Sequence, residues 1–222
     1  MLELHAIAQR YNHQKLMQAM QAAPPVALRI GATKTIGDYI LGPAIRRFLD
    51  APDHQLQFLV DNTAALLHRL EQGELDFVVL EGVFNKARYD SFLLRNEPYI
   101  GICPPGHPLD GQTISPEALL GQRLILREEG SGTRDLLERA LAQCSYTVEA
   151  FSGTVCVSSF KVIRDLVCAG YGISFVYAAV AADLPAPGRF FCPPLTGSHE
   201  LNVVWLKGTD AGALARAFVA GL

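Results

Sequence analysis

The stretch that decides the fold is Val26-Ala-Leu-Arg-Ile-Gly-Ala-Thr-Lys-Thr-Ile-Gly37. Its first five residues form a short apolar run that is typical of a β-strand, and residues 31–35 are the small and polar residues of a turn. Apolar side chains then recur at helical spacing across residues 36–49. The stretch therefore predicts a strand that ends in a turn from which a helix begins.

The same alternation continues along the chain. Residues 56–60 predict a second strand, residues 63–71 a second helix that Gly73 can end, and residues 77–80 a third strand. The third strand is apolar throughout, which suits a strand buried on both faces in a parallel sheet. This β-α-β-α-β order predicts a layered α/β fold.

Two further strands, residues 92–94 and 99–103, come before a turn-forming cluster, Pro104-Pro-Gly-His-Pro108. A second α/β series follows the cluster, and its apolar residues again alternate between strand spacing and helix spacing. The predicted strands are residues 92–94, 99–103, 124–126, 147–151, 173–176, 189–192 and 201–206, and the predicted helices are residues 131–142, 158–168 and 211–222.

Proline-rich breaks at residues 104–108 and 193–194 bracket this second series. We therefore expect residues 26–103 to form the first part of a lobe I, residues 104–194 an inserted lobe II, and residues 195–222 the return to lobe I. Two lobes joined by two chain crossings leave a cleft between them, which is the usual place for a small ligand.

The N-terminal part, residues 1–25, is set apart from these lobes. Residues 2–22 predict a helix, because apolar residues recur at spacings of three and four residues and no Gly or Pro interrupts them. Pro24-Pro25 then ends the helix. A single helix of this length is marginal in water. We expect it to pack either against its own copy in a dimer or back on its own domain.

Composition excludes several classes of protein. Half of the 222 residues are hydrophobic and 18% are charged, which allows a packed core and excludes a disordered chain. The net charge of −3 argues against strong nucleic-acid binding by this chain alone. The sequence has no apolar run long enough to span a membrane and no signal-peptide pattern at its start. We therefore expect a cytoplasmic protein with no membrane partner.

Motifs for catalysis or metal binding are missing from the sequence. It has no nucleophile elbow, zinc-protease motif or dinucleotide fingerprint, its six histidines are dispersed, and its five cysteines form no C-x-x-C pair. We expect no enzymatic activity, no metal and no cofactor. Cys156 and Cys168 stand among apolar residues and are expected to be buried, whereas Cys144 is the best candidate for a reactive thiol.

The first candidate binding site is the turn that contains Thr33, Lys34 and Thr35. Free backbone N–H groups at a helix start, together with threonine hydroxyls, can hold an anion. The alternative is a plain helix cap by Thr35. The turn Asp61-Asn62-Thr63 precedes the second helix in the same way, and here capping is the favoured interpretation.

The second candidate site is Arg127-Glu-Glu-Gly-Ser-Gly-Thr-Arg134, between a predicted strand and a predicted helix. Its glycines let a ligand approach the backbone, Ser131 and Thr133 add hydroxyls, and Arg134 offers a carboxylate-binding fork. A capping turn with an exposed arginine explains the residues equally well. Residues 157–159 form a third such turn, and Glu81, which follows the third strand, either faces the cleft or caps a loop.

An ordered set of short segments carries a family resemblance. The sequence resembles the effector-binding (regulatory) domain of LysR-type transcriptional regulators from about residue 26 to its end, and residues 2–22 stand where that family has its linker helix. The family's winged helix-turn-helix DNA-binding domain is expected to be missing, in agreement with the acidic charge. The segments are Leu28-Arg-Ile-Gly-Ala-Thr-Lys-Thr-Ile-Gly37, Asn62-Thr63, Gly73-Glu-Leu-Asp-Phe77, Pro105-Gly-His-Pro-Leu109, Leu126-Arg-Glu-Glu-Gly-Ser-Gly-Thr-Arg134 and Ala169-Gly-Tyr-Gly-Ile173.

The resemblance implies a type II periplasmic-binding-protein-like fold, in which two Rossmann-like lobes hold a small-molecule effector in the cleft between them. It also implies dimers, tetramers of the full-length protein, and contact with DNA only through the N-terminal domain. A cysteine pair like that of the family's redox-sensing branch is not clearly present. Carried over by position, the effector contacts fall on Thr33, Lys34, Thr35, Thr63, Ser131, Gly132, Thr133, Arg134, Val157 and Ser158.

Three functions remain open at this point. The leading hypothesis is the effector-sensing domain of a transcription regulator, with an anionic effector because helix starts, Lys34 and Arg134 favour negative charge. The alternative is the solute-binding protein of a transporter with the same fold, which a signal peptide would favour. The third is an enzyme that uses Arg134 and Glu81, and the lack of a positioned general base disfavours it.

Overall fold

The computed structural model describes residues 27–81, 84–182 and 186–222. The helix predicted for residues 2–22 lies outside the described residues. The strands are β1 (Ala27–Ala32), β2 (Gln55–Val60), β3 (Phe77–Glu81), β4 (Tyr89–Cys103), β5 (Arg123–Leu126), β6 (Gly153–Cys156), β7 (Ser174–Tyr177), β8 (Gly188–Phe190) and β9 (Gly197–Leu206). The α-helices are α1 (Lys34–Tyr39), α2 (Gly42–Leu49), α3 (Thr63–Glu71), α4 (Gly132–Gln143), α5 (Phe160–Cys168) and α6 (Ala211–Val219).

The main sheet has the strand order β2-β1-β3-β9-β4-β7, and β8 pairs with the end of β4 on the edge opposite β7. In the first lobe β1 is parallel to β2 and to β3, while β9 is antiparallel to β3. The second lobe contains the parallel pair β5 and β6, and a bridge between Leu124 and Ile173 links β5 to the segment that leads into β7. The fold is therefore an α/β fold with a mixed sheet.

The long strands β4 and β9 connect the two lobes. They pair antiparallel from Tyr89 opposite Leu206 to Tyr99 opposite Gly197. Beyond this pairing, the end of β4 continues into the second lobe, where it pairs with β7 and β8. The boundaries predicted at residues 103/104 and 194/195 remain predictions.

Strand β3 shows why its sequence is apolar throughout, because all five of its residues are buried. Phe77 and Val79 pack in one core cluster of the first lobe, whereas Val78 and Leu80 pack in a second cluster with helix α3. Successive side chains of a strand point to opposite faces. Both faces of β3 are therefore covered, as the sequence predicted.

Two predicted elements differ from the structure. The single helix predicted for residues 36–49 is two helices, because Pro43 has no N–H to continue the first one and instead begins α2. Residues 147–151 were predicted as a strand, but they contain the 3₁₀ turn Val148–Ala150, and the strand β6 that pairs with β5 follows at Gly153. Strand β4 also joins two predicted strands, 92–94 and 99–103, into one that has a register shift between Leu93 and Arg95.

The prediction that Cys156 is buried is wrong. Cys156 is exposed because β6 lies at the edge of its sheet, with β5 as its neighbour, and Cys168 is half-buried. The buried thiols are those of Cys103 and Cys192, and burial raises the pKa of each to about 11. Cys144 is half-buried. Among the helices in the described ranges, none is both long enough and apolar enough to cross a membrane.

Candidate functional site

A cavity of about 570 Å³ lies between the two lobes, and we call it the interlobe cavity. Its volume is within the range of small-molecule sites, about 300–1,000 Å³. Its walls come from three junctions between a strand and the following helix and from the end of β3. The lining residues are Thr33, Lys34, Val60, Asp61, Asn62, Thr63, Ala64, Glu81, Arg127, Glu128, Glu129, Gly130, Ser131, Gly132 and Asp135.

At the first junction, β1 leads into α1. Thr33 is the residue that precedes α1, yet its side chain makes no capping hydrogen bond. Its buried hydroxyl lines the cavity and has no hydrogen-bond partner within the described residues. Lys34 also lines the cavity, with its Nζ 3.9 Å from Asp38 Oδ2. Thr35 is fully buried and does not line the cavity.

At the second junction, β2 leads into α3. The side chain of Asn62 caps this helix, because its Oδ1 accepts a hydrogen bond of 2.9 Å from the backbone N–H of Ala65. The favoured capping interpretation of this turn is thus confirmed, with Asn62 as the cap. Thr63 follows it and lines the cavity.

At the third junction, β5 leads into α4. Ser131 precedes the helix, and its Oγ lies 2.9 Å from Thr133 Oγ1. Ser131 and Gly132 line the cavity, whereas Thr133 is buried outside the lining. Arg134 also lies outside the lining. Its Nε donates a 2.7 Å hydrogen bond to Glu138 Oε1, so part of its guanidinium fork is already occupied.

The predicted turn at residues 157–159 does not reach the cavity. Val157 is half-buried and Ser158 is exposed, and neither lines it. Ser159 caps α5 instead, since its Oγ accepts a 3.4 Å hydrogen bond from the N–H of Val162. The structure therefore brings together five of the sequence-predicted site residues, which are Thr33, Lys34, Thr63, Ser131 and Gly132.

Arg127 lines the cavity, and it begins the second candidate segment, although the sequence analysis assigned it no ligand contact. It is 7% exposed, and it makes two hydrogen bonds to the neighbouring carboxylate of Glu128, of 2.7 and 2.6 Å. Its guanidinium also lies 4.4 Å from the ring centre of Phe160. The two hydrogen bonds between Arg127 and Glu128 also lower the pKa of the Glu128 carboxyl group. The position of Arg127 directly after an apolar strand is the feature of the sequence that could have indicated its place at the cavity.

Glu81 also lines the cavity, which is one of the two alternatives that the sequence left open for it. It ends β3, it is only 8% exposed, and it lines the cavity. Burial raises its pKa to about 7, and the charge of Arg127 and the hydroxyl of Thr35 offset part of this rise. Neither Glu81 Oε2 nor Thr35 Oγ1 completes a hydrogen bond within the described residues.

The charges around the cavity are mostly negative. Lys34 and Arg127 are its cations, and Arg127 is already paired with Glu128. The lining carboxyl groups belong to Asp61, Glu81, Glu128, Glu129 and Asp135. Attraction for an anion must therefore come mainly from the backbone N–H groups and the dipole at the start of α4. Across the described ranges, no cluster of three or more His, Cys, Asp or Glu residues is arranged to hold a metal ion.

Comparison with known proteins identifies the family. A family model described as the LysR substrate binding domain matches residues 23–222. The chain is 28% identical over 193 residues to the HTH-type transcriptional regulator MJ0300 of Methanocaldococcus jannaschii, which covers 86% of this chain and 65% of that protein. It is 31% identical over 153 residues to the regulator CbbR of Sinorhizobium medicae, which covers 68% of this chain and 48% of that protein.

The fold is shared with a solved regulatory domain. The CcmR regulatory domain of Synechocystis PCC6803, in complex with 2-PG, superimposes with a TM-score of 0.77 at 19% identity, covering 87% of this chain and 96% of that one. The chain itself spans about half to two thirds of the length of the curated relatives named above. The architecture is thus of the type II periplasmic-binding-protein-like kind, and the chain belongs to the LysR substrate-binding domains, the effector-binding part of LysR-type transcriptional regulators.

Proposed function

We propose that this domain senses a small molecule with an anionic group in the interlobe cavity, and that binding controls DNA binding and transcription by the full-length regulator. The observation that carries the proposal is that Thr33 and Lys34 face the cavity from one lobe while Ser131 and Gly132 face it from the other. A ligand that contacts both pairs has a different affinity for each arrangement of the lobes. It therefore shifts the equilibrium between those arrangements.

The anionic character of the ligand is supported by helix α4, which has twelve residues and begins at the cavity. Its first N–H groups have no partner inside the helix, and its dipole favours negative charge at this end. The 2-PG complex of the CcmR regulatory domain makes 2-PG a suitable compound to test. We take Thr33, Lys34, Thr63, Ser131 and Gly132 as the direct contacts. Thr35, Thr133, Arg134, Val157 and Ser158 would need a rearrangement to reach a ligand.

The relatives support a regulatory protein over other classes. The two named above are transcriptional regulators, so an enzyme and a transporter's solute-binding protein receive no support from them. We propose that the domain is not an enzyme and acts in the cytoplasm. From the family resemblance we also propose that it forms dimers, and that the full-length protein forms tetramers and contacts DNA through another domain. Sedimentation at tens of micromolar tests the pairing, and a monomer at that concentration would contradict it.

A thermal-unfolding screen tests the central proposal. Sulfate, inorganic phosphate, acetate and 2-PG would each be added to the chain at constant ionic strength, with sodium chloride as the control for general salt effects. We expect at least one of these anions to stabilise the chain, by about 2.7 kcal/mol at 100 times its Kd. If none raises the unfolding temperature above the chloride control, the proposal of an anionic ligand is wrong.

A further inference from the structure

We propose that Glu81 takes part in ligand binding in the interlobe cavity, by donating a hydrogen bond as a neutral carboxylic acid to the anionic group of the ligand. Where Glu81 is ionised before the ligand arrives, binding takes up one proton from solvent, which adds to a carboxylate oxygen of Glu81. This inference rests on the proposed function, because it requires that an anion binds at the start of α4.

The position of Glu81 next to the helix start is the first observation. A Cβ atom built on Gly132, the first residue of α4, would lie 3.6 Å from Glu81 Oε1. The backbone that would hold the anion and the carboxyl group of Glu81 therefore border the same space. Two negative charges this close favour a shared proton over two ionised groups. An anion seated at the helix start thus favours the neutral form of Glu81.

Unused polar atoms are the second observation. Glu81 Oε2 and Thr33 Oγ1 both belong to buried side chains that line the cavity, and neither has a hydrogen-bond partner in the described part of the chain. Buried polar groups are nearly always paired in folded proteins. A ligand that accepts from Glu81 and bonds to Thr33 would satisfy both atoms. These groups come from the first lobe, so they complete a site whose other half is the start of α4.

The remaining groups around Glu81 leave its proton available at neutral pH. Arg127, from the end of β5, is the nearby cation, but its guanidinium is engaged by Glu128. Tyr99 on β4 and Tyr177 on β7 are buried, and the charge of Glu81 contributes to the raised pKa of each, so both phenols stay neutral. Lys34 faces the cavity from α1. The other ionisable groups that line it are the carboxylates Asp61, Glu128, Glu129 and Asp135.

The test uses sulfate, because its charge does not change between pH 5.5 and 8.5 and any pH dependence then belongs to the protein. Burial already brings the pKa of Glu81 to about 7. The affinity of the wild-type chain should be nearly constant below pH 6 and about tenfold weaker at pH 8 than at pH 6. Titration calorimetry at pH 8 in buffers of different ionisation enthalpy should show nearly one proton taken up for each sulfate bound.

Two variants make the assignment specific. Glu81→Gln keeps a neutral hydrogen-bond donor, so it should bind sulfate at pH 8 about as well as the wild type does at pH 6, with no proton uptake. The matched control is Glu129→Gln, which removes a carboxylate from the same cavity at a side chain that is 90% exposed. This control should keep the pH dependence of the wild type.

The outcomes separate this inference from the proposed function. Sulfate binding that is independent of pH, or a pH dependence that persists in Glu81→Gln, overturns the role of Glu81 and leaves the anion site in place. Failure of the wild type to bind sulfate at any pH from 5.5 to 8.5 overturns this inference, and the proposal of an anionic ligand is wrong as well only if phosphate, acetate and 2-PG also fail to bind. A tenfold loss above pH 7 that Glu81→Gln removes and Glu129→Gln retains supports the inference.

Discussion

The hydroxyl of Tyr99 on β4 donates a hydrogen bond of 2.8 Å to the backbone carbonyl of Thr133 in the first turn of α4. Both residues are buried. Tyr99 also lies where β4 passes from its pairing with β9 to its pairing with β7. This bond therefore fixes the start of the helix that borders the interlobe cavity to a strand that belongs to both lobes.

Tyr99→Phe should lower the free energy of unfolding by about 1–3 kcal/mol, because it leaves the buried carbonyl of Thr133 without its donor. Urea unfolding measures this loss. The control is Tyr146→Phe, whose hydroxyl bonds to Glu117 at the exposed surface and whose removal should change stability by less than about 0.5 kcal/mol. Equal losses in both variants would contradict the structural role of Tyr99.

Thr33→Val should weaken sulfate binding without lowering stability. The hydroxyl of Thr33 makes no capping bond and no other hydrogen bond within the described residues, so the folded chain loses no hydrogen bond. A hydrogen bond to a charged ligand contributes about 1.5–3 kcal/mol, and its loss should raise the Kd roughly 10- to 100-fold. Sulfate titration and thermal unfolding measure the two effects.

Arg134→Ala is the comparison variant for Thr33→Val, because Arg134 lies outside the cavity lining and bonds to Glu138. We expect it to affect sulfate binding less than Thr33→Val does. A larger effect of Arg134→Ala would show that the guanidinium leaves Glu138 to hold the anion.

Gly132→Ala should fold normally and bind sulfate several-fold more weakly. The added methyl group would meet Glu81 Oε1 at 3.6 Å, which is an ordinary contact distance, and would fill part of the space between the helix start and Glu81. Gly121→Ala is the control, because nothing lies within 4 Å of its added Cβ and it does not line the cavity. An unchanged affinity in Gly132→Ala would place the anion elsewhere.

Stability should fall as the pH rises through neutrality. The pKa of Glu81 is about 7 in the folded chain against an ordinary value of 4.5, so the folded state holds this proton more tightly than the unfolded state does. The contribution of this proton to the free energy of unfolding is complete below pH 4.5 and is lost as the pH rises through about 7. The free energy of unfolding should differ between these two limits by on the order of 3 kcal/mol. Urea unfolding between pH 4.5 and 8 measures it.

Glu81→Gln should remove this pH dependence and should exceed the wild type in stability at pH 8. Glu128→Gln should change the pH dependence of stability in the opposite direction. Hydrogen bonding to Arg127 lowers the pKa of Glu128, so ionised Glu128 stabilises the folded chain and this stabilisation is lost as the pH falls. If the wild type is equally stable at pH 5 and pH 8 while Glu81→Gln changes nothing, Glu81 does not have the raised pKa.

Much of the fold could be predicted because segments whose apolar residues have the spacing of a strand alternate along the sequence with segments that have the spacing of a helix. The exceptions have local causes. Pro43 divides a helical pattern that continues through it, and the 3₁₀ turn within residues 147–151 buries Val148 and Phe151 as well as a strand would. The spacing of apolar residues predicts neither the division of the helix nor the 3₁₀ turn.

The candidate site could be predicted only in part. Thr33, Lys34, Ser131 and Gly132 stand out because small and hydroxyl residues at a helix start have a recognisable chemistry. The raised pKa of Glu81 depends on its burial against the opposite lobe. The residues next to it in the sequence do not predict this burial. The sequence favours Arg134 as a ligand contact, yet Arg134 pairs with Glu138 in the next turn of its own helix.

The pairing of β4 with strands of both lobes has a consequence for how this chain loses its structure. Residues 89–99 of β4 pair with β9, which also borders β3 of the first lobe, while residues 99–103 pair with β7 and β8 of the second. Separating the lobes would break this continuous sheet. Melting of one lobe therefore removes a strand from the other, and the domain unfolds as a single cooperative unit.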